Sequence, residues 1–242
     1  DADNHADHPD LAIWQQQYRF GLDPLIGNNA FVIIGGVPGS VNRISAPIHI
    51  DDETLRVDAR NPLGVVVGAN ITNSADDMDS NASFDVSGGM VTVDSEVIIT
   101  NVNTAPMSGG TDMRLRAPGD NATLILNGVV RDANPAQAGN VTFGGGDGRV
   151  EIYGNNDLGG TVRTGGEILL GHDHALGVSS VAPNDPATVR PGGTFFSDDD
   201  ARNIPNPMIL QANFNVAGDK SLTLSGAITQ TNNRGFNNNI AS

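Results

Sequence analysis

The sequence predicts an all-β protein, most simply a parallel β-helix, on three observations. Of its 242 residues, 30 are Gly, 26 are Asn and 24 are Asp, and these residue types form turns and tolerate positive φ. Only 4 Glu and one Lys accompany them, so helix-forming charged residues are scarce. Apolar residues make up 38% of the chain and recur in short alternating runs, which disordered chains lack. A mostly helical protein is therefore excluded.

One short helix is predicted near the N-terminus, at residues 9–20. Pro9 suits the first helical turn, and Gly21 suits the position just after the last turn. Leu11 and Trp14 would lie on one apolar face of this helix. We expect the helix to cover the N-terminal end of the strands that follow.

From residue 30 onward the pattern changes to short β runs separated by Gly, Asn, Asp and Pro. Runs this short and closely spaced suit a parallel β-helix better than a β-sandwich, because each side of a β-helix coil holds only a few residues. A β-sandwich is the alternative for the N-terminal half. The predicted strands are 31–34, 48–50, 55–57, 65–67, 90–93, 97–99, 113–115, 124–126, 141–143, 150–153, 168–170, 214–216 and 222–224.

Composition divides the chain into three regions. Residues 1–21 contain an acidic loop and the predicted helix. Residues 22–135 form an irregular β region, which we expect to be the first part of the solenoid, and residues 136–242 form more regular β-helix repeats. The polar segment 131–135 marks the second boundary and is too short to be a flexible linker.

The most regular repeat lies at residues 148–177, which read GRVEIYGNNDLGGTVRTGGEILLGHDHALG. Its order of strand, Gly-Asn-Asn turn, strand, Gly-Gly turn, strand and final Ala-Leu-Gly resembles the autotransporter-associated β-strand repeat. A second repeat with a similar pattern begins at residue 191, so the resemblance covers about residues 140–242. It implies a right-handed parallel β-helix in a secreted or surface-displayed protein. In such a stack, Asn side chains are expected to form hydrogen-bonded ladders along the axis.

The acidic N-terminal segment predicts a calcium loop. Asp1, Asp3, Asp7 and Asp10 have the spacing of carboxylate ligands in the latter part of an EF-hand-type loop, and His5 would supply its carbonyl. The segment DADNHADHPDLAIWQQQYRFG resembles part of the dockerin-type calcium repeat of bacterial surface proteins. That resemblance implies calcium as a cofactor. The alternative is an acidic tail that caps the helix.

Two further groups of residues are candidate sites. His172 and His174 could share a metal ion, although solvated turn residues are the preferred interpretation. Asp198, Asp199 and Asp200 could form the carboxylate cluster of a polysaccharide-active enzyme or a calcium site, and a hydrated acidic loop is preferred. Because no P-loop, GxSxG or HExxH motif occurs, the sequence predicts a protein that is not an enzyme.

Charge narrows the expected partners. The formal net charge is −15, and no Lys/Arg cluster is expected that could form a basic groove, so nucleic acid and anionic membrane surfaces are disfavoured as partners. No stretch approaches the roughly 18 apolar residues of a membrane span. The expected partners are other copies of the chain, surface polysaccharide or other surface proteins.

These observations predict a secreted or cell-surface structural or adhesive protein. The C-terminal end of its β-helix is expected either to continue into a longer chain or to pair with another copy, which would give head-to-tail fibres or a matrix, because the end of a solenoid leaves strand edges unpaired. Calcium on Asp-rich loops would then bridge the negatively charged subunits. Two alternatives stay open, namely a polysaccharide-active β-helix enzyme and a dockerin-linked module of a surface assembly.

Overall fold

The computed structural model describes residues 29–34, 41–51, 54–74, 82–100, 112–136, 138–178, 186–231 and 233–240. All regular structure among these residues is β-strand, which confirms the all-β prediction. The helix predicted at residues 9–20 and the calcium loop predicted at residues 1–10 lie outside the described residues.

The strands are short, and most are separated by turns of a few residues. In the first half they are β1 (Asn29–Ile34), β2 (Asn42–Ile44), β3 (Ile48–Asp51), β4 (Thr54–Ala59), β5 (Val65–Val67), β6 (Ile71–Ser74), β7 (Ser83–Gly88), β8 (Met90–Val93), β9 (Val97–Ile99), β10 (Asp112–Arg116), β11 (Thr123–Leu126) and β12 (Val130–Asp132). In the second half they are β13 (Asn140–Ile152), β14 (Thr161–Leu170), β15 (Thr188–Arg190), β16 (Gly193–Ser197), β17 (Arg202–Ile204), β18 (Met208–Leu210), β19 (Phe214–Gly218), β20 (Leu222–Leu224), β21 (Ile228–Gln230) and β22 (Phe236–Ile240).

Parallel pairing arranges these strands in three stacks. The first stack runs β1, β4, β7, β10, β13, β14, β15, β18, β21. The second runs β2, β5, β8, β11, β13, β14, β16, β19, β22. The third consists of β3, β6, β9, β12 and, separately, β17 with β20. The chain thus visits the three stacks in turn and then returns to the first, an order consistent with a β-solenoid.

Strands β13 and β14 are long enough to belong to the first two stacks at once. Their register shifts between Gly144 and Arg149, where the chain passes from the first stack to the second. The predicted boundary between residues 135 and 136 falls just before β13, which pairs with both β10 and β11. Parallel pairing therefore continues across that boundary. The named strands of the N-terminal half pair in parallel, whereas a β-sandwich is built from antiparallel sheets.

The hydrophobic core lies between the stacks, where inward positions align in columns. Alternate residues of each strand point to opposite faces, so in-register pairing places one buried side chain on the next. One such column in the second stack is fully buried and consists of Val65, Val91, Leu124, Val150, Ile168, Phe195 and Val216. Each member is covered along the stack by the next, so the core depends on every strand having a neighbour.

The turn between β7 and β8 shows why glycine is needed at the corners. Gly89 is the single residue between these strands, and its φ of +65° lies in the left-handed region. A Cβ at this position would overlap the carbonyl oxygen of Ala59 on the preceding turn. Only glycine therefore allows the two turns to stack this closely.

Candidate functional site

Within the described residues, the first and second stacks finish at β21 and β22 with core positions uncovered. Ile228 is the last residue of a first-stack column whose other members are Met113, Val141, Val162, Val189 and Met208. Those members are at most 1% exposed, whereas Ile228 is 49% exposed. In the second stack Phe236 packs on Phe214 with ring centroids 5.0 Å apart, and Phe236 is 47% exposed. We call the uncovered side of β20, β21 and β22 the terminal face.

The terminal face has little charge, and one of its asparagines is hydrogen-bonded to the preceding strand. Residues 221–240 contain no Asp or Glu, and their one charged residue is Arg234. The amide Nδ2 of Asn237 donates a hydrogen bond of 3.0 Å to Oδ1 of Asn215 on the preceding strand. This step is of the kind expected for an Asn ladder. The net charge of −15 is therefore carried by other parts of the chain, and this face can approach another subunit without direct carboxylate repulsion.

The predicted metal ligands Asp1, Asp3, His5, Asp7 and Asp10 lie outside the described residues. In the part of the chain that the structure describes, no group of three or more His, Asp or Glu side chains could hold a metal ion. Calcium binding by the N-terminal segment stays a prediction.

The histidine pair lies in the turn after β14, as the preferred interpretation expected. Nδ1 of His172 accepts a hydrogen bond of 2.9 Å from the backbone N–H of His174, and the two rings are 5.5 Å apart. Nδ1 of His174 lies 3.0 Å from Oδ1 of Asn155. Partial burial, followed by the proximity of His174, lowers the pKa of His172. Both Nδ1 atoms are engaged in contacts that hold the turn, which is the role of structural residues.

The acidic run at residues 198–200 is anchored by one arginine. The guanidinium of Arg202 donates two hydrogen bonds to Asp198, at 2.7 and 2.5 Å, and one to Asp200 at 3.3 Å. These hydrogen bonds are the main reason that the pKa of Asp198 lies below its usual value. Asp198 is thus held ionised in an ion pair, which does not suit a general acid.

A second group lies on the outward side of the second stack. Arg149 donates hydrogen bonds of 3.1 and 2.9 Å to Glu167 and lies 5.1 Å from the ring centroid of Phe196. The hydroxyl of Tyr153 donates to Glu151 at 3.2 Å. Desolvation, then the nearby charge of Glu151, raises the pKa of Tyr153 to about 12. The contacts of Arg149 join β13 to β14 and β16, whereas the Tyr153–Glu151 hydrogen bond is local to the end of β13. We therefore assign the group a structural role.

The outward side of the first stack contains a row of three arginines and one threonine that local sequence did not indicate. Arg114 on β10 is in register with Thr142 on β13, Thr142 with Arg163 on β14, and Arg163 with Arg190 on β15. All four are half-buried and alternate with buried core residues, so they face away from the core. We call these four residues the arginine row. It corrects the expectation that the chain forms no arginine cluster.

A buried carboxylate lies close to the start of the arginine row. Asp85 on β7 is fully buried and accepts two hydrogen bonds of 2.8 Å from Arg116 and one of 2.5 Å from Ser83. Arg56 on the other neighbouring strand is 3.6 Å away. This ion pair fixes Arg116 against β7.

No family model, curated protein or solved structure matches this chain. The described residues contain no helix long and apolar enough to cross a membrane.

Proposed function

We propose that the protein is a structural or adhesive surface protein, built as a right-handed parallel β-solenoid that stacks end to end. The cyclic order of the three stacks supports the solenoid, because the strands of the first and second stacks pair in parallel from one circuit to the next. Right-handed connections are the rule for parallel strands joined by a crossover.

The terminal face is the observation that carries the proposal. Ile228 and Phe236 occupy inward positions that are buried in the strands directly before them. Fully burying an Ile or Phe side chain contributes about 1.5–3 kcal/mol, and pairing the strand edges would satisfy exposed backbone groups. The proposed occupant of the terminal face is a second copy of this chain.

The proposal also includes a secreted or cell-surface location and the binding of calcium. The resemblance of residues 148–177 to the autotransporter-associated β-strand repeat supports a secreted or cell-surface location. Calcium held by Asp1, Asp3, His5, Asp7 and Asp10 would reduce the repulsion between subunits of charge −15.

The experiment is analytical ultracentrifugation of the full chain over a range of concentrations, with calcium and with a chelator. We expect the average molecular mass of the wild-type protein to increase with its concentration. Ile228→Asp combined with Phe236→Asp should abolish association, because it places two carboxylates in the contact.

Leu63→Asp is the matched control. Leu63 is 46% exposed in the turn before β5, so its exposure is similar but its position is remote from the terminal face. This variant should associate like the wild type. A wild-type chain that stays monomeric both with calcium and with chelator would contradict the proposal, as would equal effects of the two kinds of variant.

A further inference from the structure

We propose that the arginine row, with the surface beside it, binds an acidic polysaccharide that carries carboxylate groups. This ligand gives the proposed adhesive protein a defined target, and in that respect the inference rests on the proposed function. The site itself lies along the side of the stacks and needs no contact between subunits.

The geometry of the row suits an extended ligand. The row crosses four strands, and neighbouring strands are about 4.8 Å apart, so its ends are separated by about 14 Å. Arg163 and Arg190 are adjacent, and Arg114 lies two strands from Arg163. A line of cations on a rigid sheet matches a linear polymer with charges at intervals better than it matches a single small anion.

The side chains on either side of the row are small or hydroxylated. Thr161 and Thr188 are register partners two residues before Arg163 and Arg190, so they form a parallel row of hydroxyl groups. On the other side lie glycines. A Cβ on Gly165 would be in ordinary van der Waals contact with Gly145, at 3.5 Å, so the missing side chain leaves the backbone surface low on this side of the row.

Arg190 is the member of the row that has an unsatisfied donor. Its Nε is buried and has no hydrogen-bond partner among the described residues. A buried donor without a partner is costly, and most such groups in folded proteins are satisfied. The planar guanidinium fork binds a carboxylate through two parallel hydrogen bonds, and rotation of the Arg190 side chain toward solvent would bring this donor into such a contact.

The charge near the row also favours an anion. Among residues whose side chains the structure describes, Asp58 and Asp85 are the carboxylates on the same side of the first stack, and both form ion pairs with arginines outside the row. A further acidic residue, Asp112, lies two positions before Arg114 on β10. Electrostatic screening limits the effect of more distant charges to about 8 Å at physiological ionic strength. The net charge of −15 therefore does not decide binding at this surface.

The absence of aromatic groups distinguishes a polysaccharide from a nucleic acid. Single-stranded nucleic acids bind to basic grooves in which aromatic side chains stack on the bases. On the outward side of the first stack from β10 to β15, the described side chains include no aromatic residue, and Phe143 of this region points into the core. Hydroxyl and guanidinium groups alone suit a chain of acidic sugars.

The test is isothermal titration calorimetry with oligomers of polygalacturonate, using dextran and single-stranded DNA as comparison ligands. The Ile228→Asp variant provides the background, so that a failure of end-to-end association is not confused with a failure of sugar binding. We expect binding to polygalacturonate that weakens as salt is added, and no binding to dextran. Equal affinity for DNA would overturn the assignment.

Substitutions then locate the site. Arg163→Gln with Arg190→Gln should lower the affinity by about tenfold or more, because two charge-assisted contacts are lost. Arg43→Gln with Arg234→Gln changes the net charge equally at exposed positions outside the row and should leave affinity within about twofold. Arg114→Gln, on a different strand, provides a second variant and should also weaken binding. Equal losses from row and control variants, or an unchanged affinity in Arg114→Gln and in the row double variant, would refute the proposal.

Discussion

Asp85 shows how a single charged residue can be buried in a stack of short strands. It is fully buried, yet each of its oxygens accepts a hydrogen bond from Arg116, and Ser83 donates a further one. Arg116 and Arg56 approach it from the two neighbouring strands, but only Arg116 makes a close, two-bonded contact. The two arginines should therefore differ greatly in their contribution to stability.

Arg116→Gln is expected to lower the free energy of unfolding by about 3–5 kcal/mol, because it leaves a buried carboxylate without its main partner. Arg56→Gln should cost about 0–1 kcal/mol, since the Arg56 side chain is 47% exposed and lies 3.6 Å from Asp85. Urea unfolding of both variants measures the difference. If the two variants lost equal amounts of unfolding free energy, the close contact between Arg116 and Asp85 would not be the one that compensates the buried charge.

Two other carboxyl groups have pKa values displaced in opposite directions. Burial raises the pKa of Asp132, although its oxygens accept hydrogen bonds from the backbone N–H groups of Gly139 and Gly159. The hydrogen bonds from Arg202 lower the pKa of Asp198. Asp132 therefore stabilises the fold most at pH values below the pKa that this residue has in the unfolded chain. That contribution is lost as the pH rises through its higher pKa in the folded protein. Asp198 stabilises the fold above its unfolded pKa, and that contribution is lost as pH falls.

Stability measured against pH should separate these two residues. From about pH 4 upward, the free energy of unfolding of the wild type should fall relative to Asp132→Asn. As the pH falls below about 4, the free energy of unfolding of the wild type should decrease relative to that of Asp198→Asn. The measurement is urea unfolding at several pH values for the three proteins. Slopes of the same sign for both variants would contradict the assigned causes.

At the scale of single elements, the turns limit which residues the chain can use. Gly89 combines positive φ with a close approach to Ala59. Gly145 has a φ of +104°, but the nearest heavy atom that a Cβ there would meet is Cδ of Arg116, at 3.8 Å. A substitution at Gly145 would thus test backbone strain alone, whereas one at Gly89 would test strain together with steric overlap.

Gly145→Ala should lower the free energy of unfolding by about 1–2 kcal/mol, the cost of a left-handed conformation for a residue with a Cβ. Gly89→Ala should cost about 1–3 kcal/mol more, because neighbouring backbone must also move. Thermal or urea unfolding checks both values. If Gly145→Ala were the more damaging change, the close stacking at Gly89 would not be what requires glycine there.

Some strands could be predicted from sequence, and others could not. The alternation of Val91 and Val93 indicated β8, where both valines enter the core. Strand β7 was missed because Ser83 and Asp85 are polar, although the structure buries both. Strand β22 is not among the predicted strands, because three consecutive Asn favour turns in isolation. In each missed case the neighbouring strand, rather than local propensity, determines the conformation.

At the scale of the whole molecule, the register was the main feature that the sequence did not provide. Register partners are 18 residues apart for Arg149 and Glu167, and other contacts between adjacent strands span up to 35 residues. This variable spacing explains why the arginine row was missed, since its members are distant in sequence. One signal was present, because the tripeptide Thr-Val-Arg occurs at residues 161–163 and again at 188–190, and the two copies pair in register.

The central claim is that each coil of the chain lies in parallel register on the preceding one, and engineered disulfide formation tests it most directly. The chain has no Cys, so Thr161→Cys with Thr188→Cys would create one pair on adjacent strands, within the range that a disulfide requires. Thr161→Cys with Ile209→Cys places the thiols two strands apart, beyond that range. We predict rapid intramolecular oxidation of the first pair in the folded protein and none of the second. No disulfide in the first pair, or equal oxidation of both, would contradict the account.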